Sequence, residues 1–226
     1  MRLAALFSGG KDSAYAAHLA SNSGEVTYLV TMNPRRSDSW MFHSVNIHLT
    51  PLLAEALDIK HLFIETSGEK ECELEDLSDA LRHLDVDGLV SGAISSRYQK
   101  ERIDRICQDL GLKHLTPLWG RSAHKLLEEV VMVGLVTIVT SVAAMGLDKR
   151  WLGMLLNSET VRELKELSQR FGFDVCGEGG EMETLVIDAP WFGSRLEVVK
   201  ARRIWDGIRG SFIVEETRLV PKTRNP

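Results

Sequence analysis

The sequence is short of the residues that staple a chain or carry it through a membrane. Three cysteines occur in 226 residues, and Cys72, Cys107 and Cys176 are widely spaced, odd in number and form no C-x-x-C pair. That arithmetic excludes a disulfide framework, argues against a cysteine zinc site and points to a reducing compartment. Long apolar runs are missing too. The longest, residues 130–144, is interrupted by Gly134, Thr137, Thr140 and Ser141, and it falls short of the roughly twenty residues that a bilayer demands. Residues 1–7 turn glycine-rich after a few apolar positions, so they read as a first core strand rather than a signal peptide. A cytoplasmic protein with no membrane partner is expected. Basic excess is the third absence: 27 Lys and Arg stand against 32 Asp and Glu, a formal charge of −5. Broad nonspecific nucleic-acid binding rests on the opposite balance, although a local basic patch stays open. Internal repeats and low-complexity tracts are lacking. What remains is ordinary globular composition, 44% hydrophobic and 26% charged, and a chain of this length buries roughly 70% of its unfolded surface.

Short apolar runs alternate with helical periodicity through the first half. Residues 3–7, 26–31, 61–64, 88–91 and 114–115 read as strands of a buried parallel sheet. Between them, Leu74, Leu77, Leu81 and Leu84 form one helical face, and Ile103, Ile106, Cys107 and Leu110 another. Val45, Leu49, Leu52, Leu53 and Ala56 form a third, where Pro51 implies a kink or a helix start. This order predicts an α/β fold, a Rossmann-like doubly wound parallel sheet with helices on both faces. After residue 120 the rhythm changes. A helix over 122–133, a β run over 135–142, a helix marked by Val161, Leu164 and Leu167, and strands over 183–187, 196–204 and 212–219 predict a smaller α+β domain. The expected domains are therefore 1–120 and 121–226. The acidic cluster Glu65, Glu69, Glu71, Glu73, Glu75 and Asp76 reads as a solvated helix start, where carboxylates meet the positive dipole end.

The strongest chemical signal lies between the first strand and the first helix: Ser8, Gly9, Gly10, Lys11, Asp12 and Ser13. Two glycines permit a tight turn whose backbone N–H groups face one concavity. The helix start adds its dipole, Ser8 and Ser13 add hydroxyls, and Lys11 adds a point charge. Such a loop suits a multiply charged phosphate, and its spacing is not that of a Walker loop. The bland alternative, a plain β-α turn, is disfavoured because the loop opens the first unit of an α/β pattern, where ligands sit. Lys11 is expected at the surface, so Lys11→Ala should change stability by no more than about 1 kcal/mol.

Other segments have readings of their own. Gly92 and Ala93 follow the fourth strand, placing small residues where a nucleotide approaches backbone. Tyr98, Gln99 and Arg102 lie at the next helix start, and Arg97 or Arg102 is a candidate for phosphate; a capped surface helix is the alternative. Glu178 and Glu181 flank Gly179 and Gly180, with Glu183 and Thr184 following. Two acids on a tight turn can hold magnesium, recognise a cation or move protons, or can simply make an acidic β-turn. Trp119, Trp151 and Trp191 are core candidates, any one of which could face a quaternary ammonium. Cys107 reads as core, and Cys176 has no evident base beside it.

The Ser8-Gly9-Gly10-Lys11-Asp12-Ser13 loop resembles the pyrophosphate loop of the N-type ATP pyrophosphatases. Residues 91–103, 115–120, 146–148 with 151–153, and 176–184 with 188–190 narrow the resemblance to the diphthine–ammonia ligase (diphthamide synthetase) family. It covers the chain from about residue 3 to residue 187 in separated blocks. The resemblance implies an ATP-binding domain over 1–120 and a substrate-binding domain over 121–226. It implies cleavage of ATP to AMP and pyrophosphate with Mg²⁺, adenylation of the diphthine carboxylate on elongation factor 2, and displacement of AMP by ammonium-derived nitrogen. Lys11, Asp12, Glu178 and Glu181 are then the catalytic candidates, with Asp12 the magnesium contact. Ser8, Gly9, Gly10, Lys11, Asp12, Ser13, Thr31, Met32, His43, Gly92, Ala93, Tyr98 and Gln99 are the nucleotide candidates. Gly179, Gly180, Glu183, Thr184 and Trp119 are the substrate candidates. With no glutaminase region in sight, free ammonium is the expected nitrogen source, and a homodimer is compatible with the sequence. The rivals are another pyrophosphate-loop adenylating enzyme, acting on tRNA or on a small molecule, and a nucleotide sensor without chemistry. Thiolases of that superfamily usually carry cysteine pairs, absent here. Mere adenine binding requires neither Lys11 nor the two glutamates.

Overall fold

The computed structural model describes residues 1–35, 45–69 and 71–222. Contacts divide the chain into two units: Met1–Ser8, Asp12–Glu55 and Ile59–Gly120 form one, and Gly9–Lys11, Ala56–Asp58 and Arg121–Pro226 the other.

In the first unit the short apolar runs become β1 (Arg2–Leu6), β2 (Glu25–Pro34), β3 (Lys60–Thr66), β4 (Gly88–Val90) and β5 (Lys113–Leu115). They form one parallel sheet in the order β3-β2-β1-β4-β5. The intervening helices are α1 (Lys11–Ala20), α2 (Thr50–Leu57), α3 (Cys72–Arg82) and α4 (Arg97–Leu110). Pro51 lies in the first turn of α2, just after a 3-10 turn over Ile47–Leu49. It starts the helix rather than kinking it, because its missing N–H would have had no helical partner there. Leu77 and Leu81 of α3 and Ile103, Ile106 and Cys107 of α4 pack with Ala4, Val30, Met32 and Leu89 of the sheet. Burial pushes the Cys107 thiol up to about 12, with Asp104 adding to the shift, so it behaves as a core apolar group. One part of the acidic cluster departs from expectation: Glu73 is 2% exposed, so the helix start is not solvated throughout.

The second unit holds α5 (Ala123–Met132), α6 (Ser158–Phe171) and an antiparallel sheet. Its strands are β6 (Val136–Val142), β7 (Met182–Asp188), β8 (Ser194–Trp205) and β9 (Gly210–Pro221), ordered β7-β6-β9-β8. Asn157 caps α6 by accepting from the N–H groups of Glu159 and Thr160, and Gly172 at φ 76° ends it. Trp151 is completely buried, which removes it from the candidates for ligand contact.

Candidate nucleotide and acceptor site

In the first unit the strand order reverses between β1 and β4, and that switch point is where open α/β sheets place ligands. Two segments leave the sheet there. After β1, the Ser8 N–H donates to Ser13 Oγ at 3.2 Å, and the two hydroxyl oxygens lie 3.2 Å apart. After β4 comes Gly92, where a Cβ would stand 2.9 Å from the Asp12 carbonyl carbon and the Ser13 nitrogen. Only glycine allows this approach to the first turn of α1. Ala93 is buried beside it.

Several candidates have internal partners. Ser96 caps α4 by accepting from the Gln99 N–H at 3.4 Å. The Arg102 guanidinium stacks 3.6 Å from the Tyr98 ring centroid and donates to the Tyr98 carbonyl. Trp119 faces a cation within its own unit, the Lys100 ammonium, 5.6 Å from the ring centroid. Thr31 donates to the Phe7 carbonyl at 2.6 Å, which leaves its oxygen to accept from His61 Nε2 at 2.9 Å. Thr31 and Met32 do not end their strand, because β2 runs on to Pro34. Pairing with β1 stops at Val30, however, while pairing with β3 continues to Pro34. Residues 31–34 therefore extend past β1. His43 lies outside the described residues.

Sequence reasoning missed a polar chain in this unit. Ser91, at the end of β4, shares a 2.8 Å hydrogen bond with His114 Nε2; His114 Nδ1 meets Asp104 at 2.6 Å, and Lys100 donates to the other Asp104 oxygen at 2.6 Å. Burial holds the His114 pKa below its usual value despite Asp104, which raises it. Burial pushes the Asp104 carboxyl up, but hydrogen bonds from Lys100 and His114 together hold it below its usual range. The four residues are scattered over 24 positions without a shared motif, so no local pattern exposed them.

In the second unit, the middle of the glycine loop is tied to β7 and to the turn before it. The Val186 N–H donates to the Gly9 carbonyl at 2.8 Å, and the Lys11 N–H donates to Thr184 Oγ1 at 3.1 Å. The Lys11 ammonium donates to the Cys176 carbonyl at 2.5 Å. Lys11 is 1% exposed. The expectation of a surface lysine is thus corrected: its long chain runs inward, and the strength of a charged donor holds the loop in place.

The turn over residues 176–181 is built by its own glycines and two acids, Glu181 and Asp174. Gly177 has φ 80°, and a Cβ there would lie 2.2 Å from the Met182 carbonyl oxygen. The Glu181 carboxylate accepts from the Gly179 N–H at 2.8 Å and from the Asp174 N–H at 3.3 Å. Asp174 in turn accepts from the N–H groups of Cys176 and Glu178. Glu181 therefore closes the turn. Cys176 is 2% exposed and its thiol donates to the Ala123 carbonyl, a packed rather than a nucleophilic setting. Glu183 lies opposite Ser141 in the β6–β7 ladder.

Among the described residues no group of three or more His, Cys, Asp or Glu can hold a metal ion. Magnesium fits this donor set only in the manner usual for nucleotide sites, held by one carboxylate together with phosphates and water. Asp12 is the one carboxylate in the first turn of α1.

A glycine-lysine loop opening the first helix of a doubly wound sheet, followed by an α+β domain, defines a pyrophosphate-loop nucleotide-binding protein. Residues 1–114 match the family model described as the diphthamide synthase N-terminal domain, and residues 122–220 match the diphthamide synthase C-terminal domain. The chain belongs to the diphthamide synthase family, as the motifs implied. It is 38% identical over 219 residues to the diphthine–ammonia ligase of Schizosaccharomyces pombe, a match covering 87% of this chain and 36% of that one. The human diphthine–ammonia ligase is 35% identical over 225 residues, covering 88% of this chain and 83% of the relative. The Saccharomyces cerevisiae diphthine–ammonia ligase is 31% identical over 246 residues, with 92% and 36% covered. The chain thus spans little more than a third of the yeast relatives' length and most of the human one's. A solved structure, described as a predicted subunit of a tRNA methyltransferase from Methanocaldococcus jannaschii, is 18% identical with a TM-score of 0.45, covering 84% of this chain and 98% of that one.

Proposed function

We propose that this chain is an ATP-dependent diphthine–ammonia ligase. It adenylates the carboxylate of diphthine on elongation factor 2 and amidates it with ammonium to diphthamide, releasing AMP and pyrophosphate. The observation that carries this reading is the Ser8–Ser13 loop sequence inside a chain whose two halves both match the family.

The chemistry follows from the residues. A carboxylate oxygen of diphthine attacks the α-phosphorus of ATP, and the bond to the bridging oxygen breaks with its electron pair leaving on pyrophosphate. Backbone N–H groups of the loop, the start of α1, Ser8 and Ser13 stabilise that developing charge as preorganised donors. Lys11 keeps the loop in shape through Cys176 and puts a positive charge beneath it. Ammonia, formed when ammonium gives up a proton, then attacks the activated carbonyl carbon. The bond to AMP breaks, and the nitrogen releases one further proton. Magnesium, when bound, neutralises phosphate charge beside Asp12. Thr31, Met32 and His43 serve the adenine, and Gly92, Ala93, Tyr98 and Gln99 border the nucleotide. Glu178, with the glycines of its turn, Glu183, Thr184 and Trp119, serves the acceptor; Glu181 shapes that turn. Residues 1–120 are thereby the ATP-binding domain and residues 121–226 the substrate-binding domain.

No helix among the described residues is long and apolar enough to cross a membrane, and the three cysteines are free thiols; both suit a cytoplasmic enzyme acting on a translation factor. Assembly as a homodimer is compatible with this reading and is checked by light scattering.

Mass spectrometry of nucleotide products, with and without diphthine-bearing elongation factor 2 and ammonium, tests the proposal. Acceptor-dependent AMP and pyrophosphate with a mass change from carboxylate to amide are expected. Stoichiometric ADP and orthophosphate would overturn it.

A further inference from the structure

Within the second unit, a pocket of about 560 Å³ is lined by Asp148, Lys149, Arg150, Arg203 and Trp205. None of these belongs to the loop or to the acidic turn. Arg203 donates through Nε to the Leu152 carbonyl at 2.7 Å and stacks 5.3 Å from the Phe212 ring centroid. Phe212 reaches that position because Gly153, at φ 80°, has no Cβ; one would lie 2.7 Å from the ring. Trp205 likewise rests on Gly210, where a Cβ would stand 2.7 Å from the indole. The contacts with Leu152 and Phe212 both favour this orientation of the arginine, and a favoured orientation lowers the entropy lost on binding.

The charges in the pocket do not cancel. Asp148 is engaged by Arg150, through the Arg150 N–H at 2.8 Å and the guanidinium at 3.5 Å. The Arg150 guanidinium also pairs with Glu163. Among the described residues, Lys149 has no carboxylate partner and the terminal nitrogens of Arg203 have no acceptor. Arg203 thereby differs from the other cations of the β8–β9 hairpin. There, Lys200 and Arg202 share Glu215, Arg195 and Arg218 share Glu197, and Arg209 pairs with Asp206. At the hairpin tip, Asp206 accepts from the N–H groups of Ile208 and Arg209, both at 2.9 Å. That tight turn leaves Ile208 79% exposed.

We infer that this pocket is a docking site for an acidic segment of the protein acceptor, with a carboxylate between Lys149 and Arg203 and an apolar neighbour against Trp205 and Ile208. The inference rests on the reading that the acceptor is a protein. Two cations without a carboxylate partner beside an aromatic wall are complementary in charge to one carboxylate with an apolar flank. A nucleic-acid backbone requires a continuous basic track, and the ion pairs along the hairpin interrupt one.

The test uses the full chain with Lys149→Glu, Lys149→Gln and Trp205→Ala. Steady-state amidation of diphthine-bearing elongation factor 2 should show KM for the acceptor raised about five- to tenfold by Lys149→Glu, the scale of a lost interfacial charge contact, and less by Lys149→Gln. The kcat and the KM for ATP should be unchanged, and thermal melting should confirm folding of each variant. An unchanged acceptor KM in folded Lys149→Glu overturns the pocket while leaving the ligase reading intact. Failure of the wild type to amidate overturns the ligase reading instead. The pocket is then judged by tryptophan fluorescence titration with a glutamate- and leucine-containing peptide. Binding lost in Lys149→Glu supports it; equal binding in both, or tighter binding of single-stranded RNA than of the peptide, overturns it.

Discussion

The ammonium of Lys11 donates to the carbonyl of Cys176, 165 positions along the chain, in a setting that leaves the lysine 1% exposed. A residue whose type suggests a free cation in a phosphate loop is thus also a tie between that loop and the turn before β7. Lys11→Ala removes the donor, leaves a buried carbonyl without it, and opens a space the length of the side chain. A loss of about 1–3 kcal/mol in unfolding free energy is expected, alongside weaker ATP binding. Urea denaturation followed by circular dichroism measures the first and calorimetry the second. An unchanged denaturation midpoint would show that the bond does not support the fold.

Gly92 sets how near the end of β4 comes to α1. Gly92→Ala places a methyl group 2.9 Å from the Asp12 and Ser13 backbone, where backbone rather than a flexible side chain must yield. Overpacking of this kind costs about 1–3 kcal/mol. Because the displaced atoms belong to the turn proposed to hold phosphate, ATP affinity should fall while the far end of the sheet stays intact. ATP titration against wild type decides this, and equal affinity would remove Gly92 from the nucleotide site.

The two glutamates of the acidic turn should separate. Glu181 accepts from two backbone N–H groups, and glutamine offers one acceptor oxygen in place of two. Glu181→Gln should therefore lower stability by about 1–2 kcal/mol. Glu178→Gln should keep ATP affinity and lose acceptor-dependent pyrophosphate release. Paired thermal melts and pyrophosphate assays distinguish them; identical behaviour of the two variants would contradict the division of labour.

Acidification should destabilise the fold before the carboxylates titrate. Burial lowers the pKa values of His18, His61 and His114 from 6.5. Their folded-state values lie below their unfolded ones, so the unfolded chain binds more protons in the interval between. Their contribution is full above about pH 6.5 and is lost as pH falls below it. Urea midpoints at pH 7.5 and pH 5.5 should differ, the latter being lower, and His114→Gln should reduce the difference. A flat profile would mean that these imidazoles are solvated.

Much of this protein is written locally. Five short apolar runs separated by helical periodicity announced a parallel α/β sheet, because a strand buried on both faces is apolar throughout and a crossover helix is apolar on one. Two glycines before a lysine at a helix start announced a phosphate loop, because turn geometry and the helix dipole depend on adjacent residues. The change of rhythm after residue 120 announced the antiparallel sheet. Tertiary structure alone decided the rest. It ordered the strands so that β1 and β4 adjoin, drew Lys11 inward to Cys176, assigned Glu181 to its own turn, and joined Ser91 to His114 and Asp104. Among the described residues it also left Lys149 and Arg203 without a carboxylate partner, whereas Arg195, Lys200, Arg202, Arg209 and Arg218 of the β8–β9 hairpin have one. Periodicity and turn chemistry act over a few residues and survive in any reading of the chain. A hydrogen bond across 165 positions depends on which surfaces pack, and packing is a property of the whole sequence that no short stretch of it carries.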